Sequence, residues 1–408
     1  MLSVSSRDLR KINRESVLKS IARAGAASRL QLAGSTGLTT AAISRITRQL
    51  IDVGLLQEIP DSTGTGNRGR RTQPLQLAPN GAWIIAMVIS ANRRSVAIAN
   101  SCGKVQASVE LESVNLGQAD KALRIFATAA NDLIEQSQVN RKRILGVSIV
   151  VAALTKPAND GRITSPILEW DDIPVAHEIA RMTNLPVHLE TRAVALLQSE
   201  LWCQPANDNK SVILVNNGWR MGSSASLNGK LLETGEGRLG QLSHYAIPSN
   251  PTTCYCGQSG CLDALASGAA LVDAIEKKHR GLIGHNLSLN QKLDAAIKLA
   301  ATRRSVAAEF HRAGKFLGYG LNALASLFAA EQIFLAGATC RQPDYFEGVK
   351  KSFTFSAPAD KQIETSTHCA VSLCSISSID AAIRTGLDAF LFCDSLDLQQ
   401  FKPSAMRA

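Results

Sequence analysis

Apolar residues near the N-terminus recur at the spacing of α-helices. They predict three helices, over residues 7–25, 28–37 and 39–54, each ending at a glycine. One side of the first helix carries Leu9, Ile12, Val17, Leu18 and Ile21. The second and third helices have the residue spacing of a helix-turn-helix, so we expect them to pack against each other.

The residues of this helix-turn-helix suit its geometry. Ala33 is small enough to let two helices approach, and Gly37 readily adopts a left-handed turn. Ile43 and Ile46 are placed to pack the third helix onto the second. Two short apolar segments, LLQEI and PLQL, then flank the polar loop DSTGTGNRGRRTQ, and this pattern predicts a β-ribbon wing.

The third helix and the wing together predict a DNA-binding surface. In the major groove, the third helix would present to bases and phosphates the side chains of Thr39, Thr40, Ser44, Arg45 and Arg48. The wing would bring Arg68, Arg70 and Arg71 to the adjacent minor groove or its phosphates. The alternative is an ordinary three-helix packing unit followed by a flexible linker.

The charge distribution favours DNA binding. Residues 1–80 hold 12 Lys and Arg against 5 Asp and Glu, so they carry +7 of the formal net charge of +10. A basic small domain joined to a nearly neutral large one indicates a module that binds a polyanion beside a module with a different partner. A solvated basic face is the alternative interpretation of the charge alone.

From residue 81 onward the pattern changes to alternating strands and helices. Its order predicts two similar α/β lobes with a cleft between them, where ligands of such sheets bind. We expect a DNA-binding domain over 1–80, a first lobe over 81–200 that 378–395 completes, and a second lobe over 201–377. Helix 304–327, rich in Ala and Leu, is expected in the core or at a subunit contact.

The same pattern excludes a membrane span. The longest apolar run, 144–154, is 11 residues, whereas a helix needs about 20 to cross a bilayer. The charged N-terminus has no signal-peptide pattern, so a cytoplasmic protein is expected. Six of the nine cysteines are scattered singly along the chain, a distribution typical of cysteines that remain reduced.

The other three cysteines form a motif. Cys254, Cys256 and Cys261 fall within eight residues, and His244 lies ten residues upstream of the first. Three sulfurs and one imidazole are a ligand set suited to tetrahedral structural zinc. In a reducing compartment a disulfide fits less well than a metal. The alternative is three unrelated thiols.

At this point the sequence resembles the ROK family (repressor, open reading frame, kinase). The helix-turn-helix with its GNRGRR wing and the segment HYAIPSNPTTCYCGQSGCLD carry the resemblance, which extends over about residues 8–395. It implies an actin-like (ribonuclease H-like), two-lobed sugar kinase fold of class α/β, preceded by a winged helix-turn-helix. It also implies a bacterial transcriptional regulator similar to the xylose, glucose and N-acetylglucosamine repressors.

The chain departs from the kinases of this family at three places. Their Asp-x-Gly-x-Thr motif corresponds here to residues 88–92, which contain neither the acid nor the glycine. Their Gly-x-Gly-x-Gly motif corresponds to 220–224, where only Gly222 remains. Their Asn-Asp pair, whose Asp takes a proton from the sugar, corresponds to Thr191 and Arg192. An arginine stays protonated and cannot act as a base, so we expect no enzyme activity.

The resemblance also implies an effector site in the cleft. Its positions correspond to Thr191, Arg192, Gln241, His244 and Asp263. Because carboxylates have been lost and Arg192 gained, a neutral sugar fits poorly, whereas a guanidinium matches the phosphate or carboxylate of a sugar phosphate or sugar acid. The alternative is that Arg192 pairs with Glu190 or Asp263 and that the cleft binds nothing.

The function that these patterns favour is a DNA-binding transcriptional regulator that acts as a repressor of carbohydrate-related genes. Its partner would be double-stranded operator DNA. A homodimer or homotetramer is expected, because paired helix-turn-helix units read two half-sites about one helical turn apart. The alternatives are a ROK-type sugar kinase with a regulatory DNA-binding domain and a constitutive regulator without a ligand.

Overall fold

A computed structural model describes residues 5–60, 73–152, 154–155, 160–232, 242–284, 286–355 and 369–401. Its N-terminal part is a winged helix, made of α1 (Ser6–Ala24), α2 (Arg29–Thr36), α3 (Thr40–Asp52), β1 (Leu56–Glu58) and β2 (Leu75–Leu77). The two strands pair antiparallel, with Leu56 opposite Leu77. The three predicted helices and the two strands of the wing are therefore confirmed.

Short polar residues set the ends of these helices. Ser28 caps α2 by accepting a hydrogen bond from the backbone N–H of Gln31, and Thr39 caps α3 in the same way. Between them Gly37 takes the left-handed conformation, with φ of 69°, that closes α2 and allows the sharp turn into α3. The cap and turn residues thus fix where the helix-turn-helix bends.

The first five-stranded sheet has the order β10-β6-β3-β4-β5. Its strands and the helices among them are β3 (Trp83–Ser90), β4 (Arg93–Asn100), β5 (Val105–Glu110), α4 (Ala119–Gln136), β6 (Ile144–Val151), α5 (Val175–Thr183), β10 (Val187–Thr191) and α6 (Arg192–Cys203). Strand β3 is central, antiparallel to β4 and parallel to β6. It is buried along its whole length, as expected of a strand covered on both faces.

A small three-stranded sheet interrupts this lobe after β6. It consists of β7 (Leu154–Thr155), β8 (Ile163–Ser165) and β9 (Trp170–Ile173). The hydrophobic pattern did not predict it, because strands of two to four residues are too short to show an alternation. Trp170 anchors the sheet by donating from Nε1 to the carbonyl of Leu116 at 2.6 Å.

The second five-stranded sheet, β13-β12-β11-β14-β15, repeats the arrangement of the first. Its elements are β11 (Val212–Asn217), β12 (Met221–Leu227), β13 (Lys230–Leu231), α7 (Leu262–Ala266), α8 (Gly268–Lys278), α9 (Leu289–Ala300), α10 (Arg304–Phe328), β14 (Gln332–Ala336), α11 (Ala338–Arg341), α12 (Pro343–Ser352) and β15 (Ala370–Leu373). The chain then continues into the last helix, α13 (Ser378–Phe390). Central β11 is again antiparallel to one neighbour, β12, and parallel to the other, β14. The two similar α/β lobes are confirmed.

The last helix returns to the first sheet. The hydroxyls of Thr385 on α13 and Ser148 on β6 are 3.1 Å apart and buried. A Cβ at Gly386 would lie 2.7 Å from that of Ser148, so only glycine allows this approach. The last helix, near the C-terminus, is therefore packed on the first sheet, whose strands include β3 to β6 within residues 83–151.

The winged helix shares a hydrophobic core with the first sheet and α13. Leu18 on α1, Leu55 after α3 and Leu387 on α13 are buried in one cluster. Two ion pairs lie at the edge of this contact: Lys19 with Asp388 at 3.2 Å, and Arg23 with Asp208 at 2.6 Å. Arg14 also donates to the carbonyl of Leu396. The position of α1 is thus set by the rest of the molecule.

No helix in the described ranges has both the length and the hydropathy that crossing a bilayer requires.

Two leucines on α2 test the packing of the winged helix. Leu32 is fully buried, whereas Leu30 is 72% exposed. We expect Leu32→Ala to lower the free energy of unfolding by about 2–5 kcal/mol, because it leaves a cavity in the core. The matched Leu30→Ala should change it by less than about 0.5 kcal/mol. Equal effects in urea denaturation would contradict this packing.

Candidate functional site

Helix α3 divides cleanly into a buried and an exposed face. The residues packed inward are Ile43, Ile46, Thr47 and Leu50. The five predicted DNA-contacting residues on α3 and its cap are all exposed: Thr39, Thr40, Ser44, Arg45 and Arg48. The helix therefore offers solvent a surface of hydroxyls and two guanidiniums. Arg68, Arg70 and Arg71 lie outside the described residues.

Arg29 orients this helix, a role that the sequence pattern did not suggest. From α2, its Nε donates to the Thr47 hydroxyl on α3 at 3.3 Å, and its Nη2 pairs with Glu58 on β1 at 2.7 Å. One side chain thus connects both helices of the helix-turn-helix to the wing. No local signal could have found it, because Thr47 and Glu58 lie on other elements than Arg29.

The predicted metal ligands come together in space. The ligand atoms of His244, Cys254, Cys256 and Cys261 all lie within 4.8 Å of one another. The sulfurs of Cys256 and Cys261 are 3.7 Å apart, and Cys254 Sγ is 3.9 Å from Nδ1 of His244. A disulfide would need about 2.05 Å, whereas two thiolates on one tetrahedral zinc are about 3.8 Å apart. The four groups fit one metal ion better than they fit a disulfide or unrelated thiols.

Backbone turns bring these ligands together. The N–H of Cys254 donates to the carbonyl of Gln258 at 2.7 Å, so the chain reverses between the first two cysteines and the third. Gly260 has φ of +76°, and a Cβ there would lie 2.7 Å from the carbonyl oxygen of Ile247. Glycine is required at this position both for its conformation and for its lack of a side chain.

A neighbouring hydroxyl orients the histidine, and burial affects the protonation of one cysteine. The hydroxyl of Tyr255 is 3.2 Å from Nε2 of His244, which leaves Nδ1 directed to Cys254. Burial raises the pKa of Cys261 to about 12 in the metal-free protein, so a metal would displace the proton of this thiol. The sequence pattern identified the four ligands but missed Tyr255 as the group that orients the imidazole.

Asp263, an expected effector residue, is already paired. Its carboxylate is 1% exposed, accepts from Arg220 at 2.6 Å and from the backbone N–H of Met221 at 3.0 Å. The guanidinium of Arg220 also lies over the Tyr255 ring, 4.3 Å from its centroid. The alternative in which Arg192 pairs with Asp263 is therefore wrong, because Arg220 from the β11–β12 turn reaches this carboxylate instead.

Arg192 and Thr191 lie where β10 ends and α6 begins. Nη1 of Arg192 is 3.4 Å from Oδ1 of Asn92, in the turn after β3, and its Nε is buried without a hydrogen-bond partner. Burial lowers the pKa of Arg192, and the positive charges of Arg341 and Arg93 lower it further. Gln241 lies outside the described residues.

Polar side chains occupy the turns that correspond to the phosphate loops of family kinases. The Ser90 hydroxyl donates to Oδ1 of Asn92 at 2.8 Å and accepts from the N–H of Arg93 at 3.1 Å. In the second lobe the hydroxyl of Ser224 donates to the carbonyl of Ala193 at 2.8 Å. These groups satisfy one another within the chain.

The sequence profile described as "ROK family" matches residues 93–373. The chain belongs to the ROK family. Among its relatives, the xylose repressor of Caldicellulosiruptor bescii is 27% identical over 66% of this chain and 67% of its own length.

Solved structures of the family share the fold. A ROK family transcriptional regulator, described as a homolog of the Escherichia coli MLC protein, covers 97% of this chain and 99% of its own at a TM-score of 0.73 and 22% identity. A ROK family glucokinase from Streptomyces griseus, in complex with glucose and AMPPNP, covers 76% of this chain and 99% of its own at 0.60 and 17%. The expected actin-like α/β fold is confirmed, and the regulator covers the winged helix as well.

Cysteine variants test the metal centre. We expect the protein purified without chelator to contain about one bound metal ion per chain, measured by elemental mass spectrometry. Cys256→Ser and Cys261→Ser should each lose most of it, because a hydroxyl is a poor substitute for a thiolate. Cys203→Ser, at an exposed cysteine outside the cluster, is the matched control and should retain the metal. Retention of metal by the first two variants would exclude this ligand set.

Proposed function

We propose that this protein is a DNA-binding transcriptional repressor of carbohydrate-related genes. The observation that carries the proposal is the α3 surface, where hydroxyls and the guanidiniums of Arg45 and Arg48 face solvent on a rigid winged helix. A xylose repressor and a ROK transcriptional regulator among the similar proteins support it. Thr39, Thr40 and Ser44 would contact the major groove with the two arginines, and Arg68, Arg70 and Arg71 would contact the minor groove.

The proposed division of labour places DNA binding in residues 1–80 and effector sensing in the two lobes. The first lobe comprises 81–200 with 378–395, and the second comprises 201–377. The protein would act in the cytoplasm as a homodimer or homotetramer, so that two α3 helices read two half-sites. An effector would change the distance between these helices, which requires it to bind the DNA-competent and incompetent states unequally.

The metal of the proposed regulator is zinc, in a structural role. Three thiolates and an imidazole leave no open position for a substrate or water, so the ion would hold the 244–261 loop and take no part in a reaction. The loop lies beside the paired Asp263 and Arg220, because Tyr255 contacts both His244 and Arg220. Zinc would thus stabilise one wall of the second lobe.

The lobes of the proposed regulator do not phosphorylate sugars. Arg192 stands where the resemblance places the proton-accepting Asp, and a guanidinium offers no lone pair to a hydroxyl proton. Arg220, held by Asp263, lies where the phosphate loop of a kinase approaches its nucleotide with glycine. The alternative, a ROK-type sugar kinase with a regulatory domain, is supported by the shared fold with the glucokinase.

Gel-shift and footprinting experiments on the DNA upstream of the protein's own gene test the proposal. We expect Arg45→Ala and Arg48→Ala each to cost about 1–3 kcal/mol of binding, or roughly 5- to 150-fold in affinity. A phosphate contact should also lower the salt slope by about 1. Arg124→Ala removes the same charge from exposed α4 and should leave affinity unchanged. If all three variants bind equally well, α3 is not the recognition helix.

ATP turnover with a panel of hexoses and pentoses tests the absence of kinase activity. We expect ADP release no faster than in the absence of protein, because no base is placed at Arg192. A ROK glucokinase run in the same coupled assay establishes that turnover would be detected. Sugar-dependent ADP release by this protein would overturn the proposal and favour the kinase alternative.

A further inference from the structure

An arginine of the first lobe reaches the end of the helix-turn-helix. Arg143 directly precedes β6, and its Nη2 donates to the carbonyl of Val53, the C-cap residue of α3, at 3.2 Å. Its Nη1 donates to the carbonyl of Gly81 at 2.7 Å. Gly81 ends the short 3-10 helix Pro79–Gly81, which connects the wing to β3. One guanidinium therefore links the end of α3 to the point where the chain enters the first lobe.

The first sheet fixes the lobe side of this contact. Ile144, the residue after Arg143, pairs with Trp83, and the two belong to the neighbouring parallel strands β6 and β3. The N–H of Arg143 also donates to the carbonyl of Asn140 at 2.8 Å, which closes a turn before β6. The guanidinium lies over the ring of Phe401, 5.7 Å from its centroid, and this residue is buried. The sheet and the C-terminal segment together hold the guanidinium in place.

Backbone contacts bring the turn after α3 to the same point. A Cβ at Gly81 would lie 2.5 Å from the carbonyl oxygen of Gly54, so only glycine allows this approach. The N–H of Ala78 donates to the carbonyl of Leu55 at 2.9 Å. A Cβ at Gly54 would lie 3.3 Å from Nη2 of Arg143. The turn after α3, the 3-10 helix and the guanidinium thus form one contact region, which we call the Arg143 junction.

The chemistry of a guanidinium suits the end of a helix. The last carbonyls of a helix carry partial negative charge and lack partners within the helix, so a nearby cation is favourable there. Hydrogen bonds from a charged donor are also stronger than those between neutral groups. In the Arg143 junction the two Nη atoms hold two different carbonyls, those of Val53 and Gly81. Because the guanidinium is planar and rigid, it fixes the direction of α3 as well as its distance from the lobe.

We propose that Arg143 is a positioning residue for the recognition helix and sets the angle at which α3 stands on the first lobe. This role rests on the proposed function, because the angle matters only to a protein that reads two half-sites. The orientation of each α3 on its own lobes would determine the separation of the two recognition helices in a homo-oligomer. Arg143 would thereby restrict the half-site spacing that the protein accepts.

Hydrogen exchange of the full chain without DNA, measured by mass spectrometry, tests the junction. We expect Arg143→Met to speed exchange at least tenfold at the N–H groups of Gly54 and Leu55, which donate to carbonyls of the last turn of α3. Arg141→Met is the matched control, because Arg141 lies in the same short helix but donates to the carbonyl of Thr183 within the first lobe. Unchanged exchange in Arg143→Met would overturn the junction.

Gel shifts on the footprinted upstream site test the consequence for recognition. A second DNA carries one base pair inserted at the centre of that site, which moves the half-sites apart by about 3.4 Å and rotates them by about 35°. We expect the unaltered protein and Arg141→Met to bind this second DNA at least tenfold more weakly. Arg143→Met should bind the two DNAs with affinities within about threefold, because its α3 helices can adapt to either spacing.

The salt dependence of binding separates positioning from a direct DNA contact. If Arg143 acts within the protein, Arg143→Met leaves the salt slope unchanged. Loss of a phosphate contact would instead lower the slope by about 1 and would overturn the proposal. If Arg143→Met does not fold, Arg143→Lys decides, because it keeps the charge but replaces the two carbonyl-binding nitrogens by one. This variant should also narrow the difference in affinity between the two DNAs.

The outcomes separate this proposal from the proposed function. A protein that binds its upstream site and keeps its full spacing preference in the Arg143 variants overturns the positioning role and leaves the regulator intact. A spacing preference that is absent from the unaltered protein would overturn the role as well. A protein that binds no upstream DNA contradicts the proposed function, and hydrogen exchange then decides whether Arg143 holds the end of α3.

Discussion

A guanidinium stays protonated at neutral pH, and Arg192 places one at the start of α6, where the resemblance to the family's kinases would place a proton acceptor. The carboxylate of Asp263 is withdrawn into a pair with Arg220, and the turn after β3 offers Arg192 an amide oxygen from Asn92. Burial lowers the pKa of Arg192, because a charged group loses hydration when it is removed from water.

The winged helix and the lobes are physically continuous. Side chains of α1, of the segment after α3 and of α13 fill one hydrophobic core, and ion pairs from α1 reach two separate parts of the lobes. A DNA-binding unit on a free linker could not sense a ligand in the cleft. Here α3 is packed, through α1, onto the lobes, so a displacement of the lobes would move the helix-turn-helix with them.

The 244–261 loop, which carries the candidate metal ligands, also contacts other parts of the second lobe. The cysteine spacing and the turn at Gly260 help to form the ligand cluster, and Tyr255 connects it to Arg220 and thereby to Asp263. An ion bound there would stabilise this segment, since metal binding and local folding are coupled.

Local patterns in the sequence determined much of this protein. Helix periodicity, caps and Gly37 defined the helix-turn-helix, the alternation of strands and helices indicated the two lobes, and cysteine spacing identified the ligand cluster. These features depend on neighbours in the chain, whose chemistry can be read directly. The three-stranded β7–β9 sheet was missed because its strands are too short to show a period.

Only the tertiary structure decided which distant groups meet. Asp263 pairs with Arg220 and not with Arg192, Arg29 links α3 to the wing, and Lys19 on α1 pairs with Asp388 on α13. These partners are separated by tens to hundreds of residues, and their contacts depend on strand register and on how two sheets face each other. A single sequence carries no local signal for either, because both result from packing of the whole chain.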